Sequence, residues 1–327
     1  IITTHPIQYN APFFSLLAQR HYVQIKVFYT WGSSVLENKF DPGFGKNVDW
    51  DIPLLEGYEY SFVKNIAREP GSHHFRGIDN PALIKEIETW KADALLLYGW
   101  SFKSHLQAMR HFKAKIPVLF RGDSINSMQP NFFMKALRRM MLTWVYSHVD
   151  IALYAGTRNQ QYFQQAGMAD KQLLFAPHAV HNEWFKGRAD KDRNLSMQQR
   201  VDLGIPANSL VFLYAGKLDA NKNTCLLADA FLATETDAHL VIAGNGVKEQ
   251  ELIARYGSAK HIHFLPFQNQ QAMPALYGMA DVFVLPSVSE TWGLGINEAM
   301  ACGLPVIASE GCGAAIDLVK NGETGFV

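Results

Sequence analysis

Two carboxylates, Glu290 and Glu298, stand with seven residues between them around a glycine-bearing turn, Ser289-Glu290-Thr291-Trp292-Gly293-Leu294-Gly295-Ile296-Asn297-Glu298. The apolar run 282–285, closed by Pro286 and Ser287, reads as a buried strand ahead of the turn, and a short helix follows it and stops at Gly303. The first N–H groups of a helix lack intrahelical partners and carry the positive end of its dipole, so such a turn collects anions. Carboxylates are poor partners for phosphate but accept hydrogen bonds from hydroxyls. Gly293 and Gly295 remove side chains where a ligand would need to approach the backbone. Anion-binding amides and hydroxyl-binding carboxylates in one loop suit a ligand carrying both groups, such as a nucleotide sugar. The plainer alternative is an ordinary glycine-rich turn of an α/β protein, with Glu298 placed early in a helix because the dipole favours it.

A second constellation is Gly216-Lys217-Leu218-Asp219-Ala220-Asn221-Lys222-Asn223, which follows the apolar run 210–215. Two lysines beside another helix N-terminus supply point charges that suit a diphosphate. In the first half, the residues to watch just after the expected strands are His5, Gln8, Tyr9, Gly99, Trp100, Arg121 and Asp123. His5 is either an acid/base group or a turn residue. Arg121 and Asp123 sit at a strand end, which favours substrate contact over the cell-adhesion reading of Arg-Gly-Asp.

The elements that must position these residues alternate along the chain. Strands are expected at 1–4, 22–29, 94–98, 118–120 and 151–154, with a strand and turn within 173–181, helices at 11–20, 81–90 and 102–112 between them and an irregular segment from 30 to 60. Strands separated by helices of this length form βαβ units and a parallel sheet. Residues 185–208 are polar and charge-rich, with one helix-like piece at 196–203, and read as a linker between a first domain, 1–186, and a second, 187–327. The second domain repeats the alternation, with strands at 210–215, 239–243, 261–265, 282–285 and 305–308 and helices at 223–232, 247–256 and 270–279. The fold class is α/β: two Rossmann-like, doubly wound domains facing across a crevice, with ligands beyond the carboxyl ends of the strands.

Bulk properties narrow the function. The 327 residues suffice for about two domains with substantial cores. No apolar run reaches the roughly 18 residues of a membrane span, and no signal peptide is visible, although the chain begins at Ile1 without a methionine. Cys225, Cys302 and Cys312 show no paired or metal-ligand spacing and read as free thiols in the cytoplasm. Net charge is zero, yet residues up to Lys186 carry 20 Lys and Arg against 15 Asp and Glu, so the halves are oppositely charged. This pattern argues against a general nucleic-acid binder and leaves room for an anionic partner on the first half. In 132–149, apolar pairs recur every fourth residue with Lys135, Arg138 and Arg139 between them. That amphipathic helix either packs on the sheet with a solvated basic face or touches anionic lipid at the membrane's inner face.

Gly-Lys-Leu with Lys222 five residues on, Ile-Ala-Gly-Asn-Gly, Ala-Asp-Val-Phe-Val-Leu-Pro-Ser, the Glu290-to-Ala308 stretch and Asn-Gly-Glu-Thr-Gly-Phe-Val occur in this order. Together they closely resemble retaining glycosyltransferases of the GT-B fold, family 4, glycosyl transferases group 1. The first half resembles that family mainly in its strand order and the Pro-x-x-Val turn at Pro177 to Val180. The resemblance implies that Lys217, next to Gly216, and Lys222 hold the donor diphosphate. It implies Glu290 on the donor sugar, helped by the backbone at Trp292, Gly293 and Leu294, Glu298 on the ribose, and Phe267 at the nucleobase. Asp49-Trp50-Asp51 has the form of a metal-binding motif of another glycosyltransferase fold, but it follows no convincing strand and reads as chance.

The chain departs from the family pattern in three places: the first-strand loop reads His5-Pro6-Ile7-Gln8-Tyr9 without paired glycines, a first-domain histidine near the reacting sugar is not evident, and the sequence stops at Val327, where the family continues through closing helices, so it is either trimmed or lacks them. The implied reaction moves a sugar from a UDP- or GDP-linked donor to a hydroxyl on a saccharide or lipid-linked acceptor, with retention and without a cofactor or metal. It would serve cell-surface polysaccharide or lipid-linked saccharide synthesis. Asp123 and His5 are the choices for a protein base, with Gln8, Tyr9, Trp100 and Arg121 toward the acceptor. The rivals are a nucleotide-sugar epimerase or phosphorylase on the same plan, and a catalytically silent nucleotide-sugar-binding subunit.

Overall fold

The computed structural model describes residues 1–33, 40–41, 43–126 and 132–327. The chain divides into two compact units, Ile1–Lys39 with Pro53–Pro177, and Phe40–Ile52 with His178–Val327. Among the described residues no helix is long and apolar enough to cross a membrane.

The first unit opens with β1 (Ile2–Thr3), α1 (Ala11–Gln19) and β2 (Lys26–Tyr29). A short antiparallel hairpin, β3 (Phe40–Asp41) and β4 (Lys46–Asn47), comes next in sequence but counts with the second unit. The chain then resumes with β5 (Glu59–Phe62), α2 (Leu83–Trp90), β6 (Leu95–Tyr98), α3 (Lys103–Phe112), β7 (Val118–Arg121) and α4 (Phe132–Tyr146). β8 (Ile151–Tyr154), α5 (Thr157–Gln165) and β9 (Leu173–Phe175) complete it. The described strands form a parallel sheet in the order β5-β2-β1-β6-β7-β8-β9. Phe28 joins a core with Leu95, Leu97 and Phe163, while Val27 and Tyr29 join Phe14 of α1 in another. This period-two split is that of a sheet covered on both faces. The order reverses between β1 and β6, so the turns after these two strands meet at the switch point of the sheet.

The second unit begins with α6 (Asn182–Lys191) and α7 (Arg193–Asp202). It continues through β10 (Val211–Ala215), α8 (Thr224–Ala233), β11 (His239–Ala243), α9 (Glu249–Tyr256), β12 (Ile262–Leu265), α10 (Met273–Gly278) and β13 (Val282–Leu285). α11 (Leu294–Ala301), β14 (Val306–Ala308), α12 (Gly313–Leu318) and β15 (Gly325–Phe326) close it. Its sheet runs β12-β11-β10-β13-β14-β15, again parallel, and reverses between β10 and β13. Those are the two strands that precede the lysine turn and the Glu290 turn.

The expected α/β alternation is present, with instructive differences. The second strand starts at Lys26 instead of residue 22, and Tyr22 is solvent-exposed. The segment expected to be irregular holds the hairpin and the edge strand β5. α5 went unassigned because it is mostly polar, burying Asn159, Tyr162 and Phe163 alone. The stretch read as a linker is the helical pair α6 and α7, and the units part at 177/178 instead of 186/187. Polar side chains fix that pair to the second unit: the Ser196 hydroxyl donates to the Ala275 carbonyl at 2.9 Å, and Arg200 donates to the Met279 carbonyl at 2.7 Å and pairs with Asp281 at 2.8 Å. Composition cannot distinguish polar residues that solvate a linker from polar residues that satisfy a neighbouring helix end.

Candidate functional site

The lysine turn leaves β10 held from below. The buried Tyr214 hydroxyl donates to the Lys217 carbonyl at 2.6 Å, and burial pushes its pKa well above the usual phenol value. The Leu218 amide donates to the Asn245 carbonyl at 2.9 Å, tying the turn to the one after β11. The Asp219 carboxylate accepts from the Lys222 amide at 3.0 Å and caps the single 3-10 turn that carries Lys222.

Asn221 then joins this turn to the one after β13. Its carbonyl accepts from the Val288 amide at 2.8 Å, while its side chain accepts from the Ser289 amide at 3.1 Å and donates to the Ser289 carbonyl at 2.6 Å. On the other side, the Glu290 amide donates to the Gly311 carbonyl at 3.0 Å and the Gly313 amide donates to the Glu290 carbonyl at 2.9 Å. The Glu290 backbone is therefore fixed on both flanks. Its carboxylate forms an ion pair with the Lys222 ammonium, both side chains being about four-fifths buried. Sequence reading put these two groups in one site but on different parts of a ligand; the structure brings them directly together.

Gly293, with φ +99°, caps α11 in the left-handed region that disfavours other residues. At Gly295 a Cβ would stand 3.0 Å from the Phe283 ring, so its smallness seats the first turn of α11 on β13. Trp292 is buried, donates from its indole to Asn297 at 2.7 Å, and lies 5.5 Å from the ring of His178. Leu294 opens α11. Glu298 is buried on the same helix, where its carboxylate accepts from the Tyr277 hydroxyl at 2.8 Å. Burial, together with the nearby Glu298 charge, pushes the Cys302 thiol up to about 12.

Phe267 follows β12, its amide held by the Asn245 side chain at 2.8 Å. Its ring meets Phe44 edge-on at 4.7 Å and Trp50 at 6.1 Å, and the Lys46 ammonium lies 4.3 Å from its centre. The Lys217 ammonium lies 4.8 Å from the centre of the Phe44 ring. Asp49-Trp50-Asp51 belongs to this contact, since the Asp51 carboxylate accepts from the Gln271 amide at 3.1 Å.

In the first unit, His5, Gln8 and Tyr9 lie half-buried in the turn after β1, with the His5 ring 2.9 Å from the Thr4 hydroxyl and edge-on to Trp31. Trp100 packs against the core. Arg121 donates to the carbonyls of Ala176 and Pro177 at 2.7 and 3.2 Å, closing the end of the unit, and Asp123 is exposed. Sequence reasoning missed His105. It is fully buried beneath the switch point, where its Nδ1 donates to the Gly99 carbonyl at 2.8 Å and its Nε2 faces the Thr30 hydroxyl at 2.8 Å. Burial lowers its pKa to about 4, which favours the neutral imidazole. Asn221 was missed too, as nothing in a lone Asn signals a clamp on a turn 68 residues away.

Residues 196–327 match the family model for glycosyl transferases group 1, which bears out over that stretch the resemblance carried by the motifs. A D-inositol 3-phosphate glycosyltransferase of Streptomyces bingchenggensis is 34% identical over 178 residues, 49% of this chain and 37% of that protein. The matches span about a quarter to little more than a third of the length of the curated relatives. Anabaena HepE, solved in complex with UDP and glucose, is 19% identical with a TM-score of 0.67 over 99% of this chain and 83% of its own. Sucrose-phosphate synthase of Thermosynechococcus elongatus is also 19% identical, with a TM-score of 0.71 over 99% of this chain and 84% of that one. The chain accordingly has the two-unit GT-B fold of these neighbours.

Proposed function

With residues 196–327 matching glycosyl transferases group 1 as the premise, we propose that the chain is a retaining glycosyltransferase that moves a sugar from a nucleoside diphosphate to a hydroxyl acceptor. The observation that carries this reading is the meeting of the lysine turn and the Glu290 turn at the switch point of the second sheet, clamped to each other through Asn221. Switch points are where such sheets bind nucleotides. Lys217 and Lys222 would stabilise charge building on the departing diphosphate without a metal, each interaction worth about 3 kcal/mol of barrier. A diphosphate on Lys222 frees the Glu290 carboxylate to accept from hydroxyls of the transferred sugar. Glu298 and Tyr277 would receive the ribose, and Phe267 the base. UDP is the favoured carrier because the HepE complex holds it.

His5, Gln8 and Tyr9 at the switch point of the first sheet, with Trp100, Arg121 and Asp123 further along, are assigned to the acceptor side. In front-face transfer the leaving phosphate itself can take the acceptor proton, and Asp123 or His5 would do so otherwise. Three free thiols suit the cytoplasm, and the acceptor class is a saccharide or lipid-linked saccharide. Changing Glu290 to Ala should lower turnover at least a hundredfold while UDP binding, measured calorimetrically, changes little. Unchanged transfer by that variant would remove Glu290 from the assigned role. Product analysis without acceptor separates the epimerase and phosphorylase readings, which need donor alone or free phosphate, and nucleotide binding without any turnover would mark a silent subunit.

A specific observation favours membrane contact. α4 buries Leu142, Val145 and Tyr146 but leaves Phe132, Phe133, Met134, Met140 and Trp144 largely exposed among Lys135, Arg138 and Arg139. A helix that presents aromatics and cations together to solvent suits an anionic lipid surface.

A further inference from the structure

Phe40–Ile52 lies in sequence between two strands of the first unit, yet it folds onto the second. It is pinned there by the Asn269 side chain donating to the Asp49 carbonyl at 2.6 Å and by Gln271, whose amide reaches the Asp51 carboxylate at 3.1 Å and whose side chain reaches the Asp51 carbonyl at 2.5 Å. The anchor point is the loop that carries Phe267. From it the segment lays Trp50, Lys46 and Phe44 over Phe267, and Phe44 reaches on to the Lys217 ammonium. The turn backbone is equally close: a methyl group on Gly43 would stand 2.5 Å from Lys217 Nζ. Three half-buried aromatic rings and two ammonium groups thus form one continuous cluster between the base end and the diphosphate end of the assigned donor site. Rings offer a stacking face to a planar base, and lysines offer charge to phosphates.

We propose that residues 43–51 are part of the donor site, with Phe44 and Trp50 stacking on the nucleobase beside Phe267 and Lys46 adding a cation for the nucleotide. This inference rests on the donor-site reading above. On binding, Lys217 exchanges the face of Phe44 for diphosphate oxygens, and the released ring closes on the base.

The test is titration calorimetry of the full chain with UDP, GDP and uridine. The wild type should bind one of the two diphosphates. Phe44→Ala should weaken that binding about tenfold or more, as loss of a base–aromatic stack does, and should weaken uridine by a similar factor if the base is uracil, while Phe44→Tyr retains affinity. Lys222→Ala should weaken the diphosphate and leave uridine unaffected, reporting on the donor-site reading independently. The change in tryptophan emission on adding the diphosphate should shrink in Trp50→Phe. If Lys222→Ala weakens binding while Phe44→Ala binds as well as or better than the wild type, and Trp50→Phe keeps the full emission change, the segment is no part of the site. If the wild type binds neither UDP nor GDP, the donor-site reading fails and this inference falls with it.

Discussion

At the scale of single residues, the two glutamates that frame the Glu290 turn differ in what surrounds them. Glu290 meets Lys222 at a partly open position, whereas Glu298 is enclosed with Tyr277. Their spacing was plain in the sequence; their opposite environments follow from α11 turning Glu298 inward. His105 shows the converse, an ordinary helix histidine whose buried surroundings perturb its imidazole strongly. Its folded pKa of about 4 lies below the ordinary 6.5, so it contributes nothing to pH dependence above that value. Between about pH 6.5 and 4 the unfolded chain takes up a proton that the folded chain resists, and stability falls by up to about 3 kcal/mol. His239 and His263, also lowered by burial, add to the same trend. Urea unfolding at pH 7.5 and pH 5 should show this loss, and His105→Gln, though less stable overall, should show a smaller one. An equal loss in both proteins would assign the acid sensitivity elsewhere.

At the scale of elements, the turns after β10 and β13 act as one piece because Asn221 and the 309–314 segment hold them. Asn221→Ala removes two side-chain hydrogen bonds to Ser289, each worth roughly 1 kcal/mol net. It should lower turnover about tenfold, through misplacement of Glu290 against Lys222, with a smaller effect on UDP affinity; steady-state kinetics beside calorimetry would separate the two. A loss confined to affinity would show that the clamp positions the lysine turn alone. The apolar cores of β10, β11 and β13 were legible as unbroken hydrophobic runs. The short edge strand β5, the polar α5 and the hairpin were not, because elements that bury few side chains leave little periodicity.

At the scale of the whole molecule, each unit reverses its strand order once, and the His5 turn of the first unit and the lysine and Glu290 turns of the second follow strands at those reversals. The first unit adds α4, whose outward face joins apolar and basic groups. If this face meets lipid, the protein should sediment with vesicles containing anionic lipid at low salt, and release with rising salt should follow from screening. Phe133→Ser with Met140→Ser, both exposed positions, should reduce sedimentation several-fold at unchanged thermal stability. Sedimentation that is insensitive to these changes would clear α4 of that role.

The sequence by itself determined the parallel α/β class, the alternation of strands and helices, and the pairing of a two-lysine turn with a two-carboxylate turn, since apolar runs and turn residues act locally. Only the tertiary structure decided that α6 and α7 serve the second unit, that Lys222 and Glu290 touch, and that Phe44, Lys46 and Trp50 lie over Phe267, with Asp49 bonded to Asn269 220 residues on. Those contacts are made by polar and half-buried side chains between distant segments, and their partners are set by chain topology and not by any local pattern.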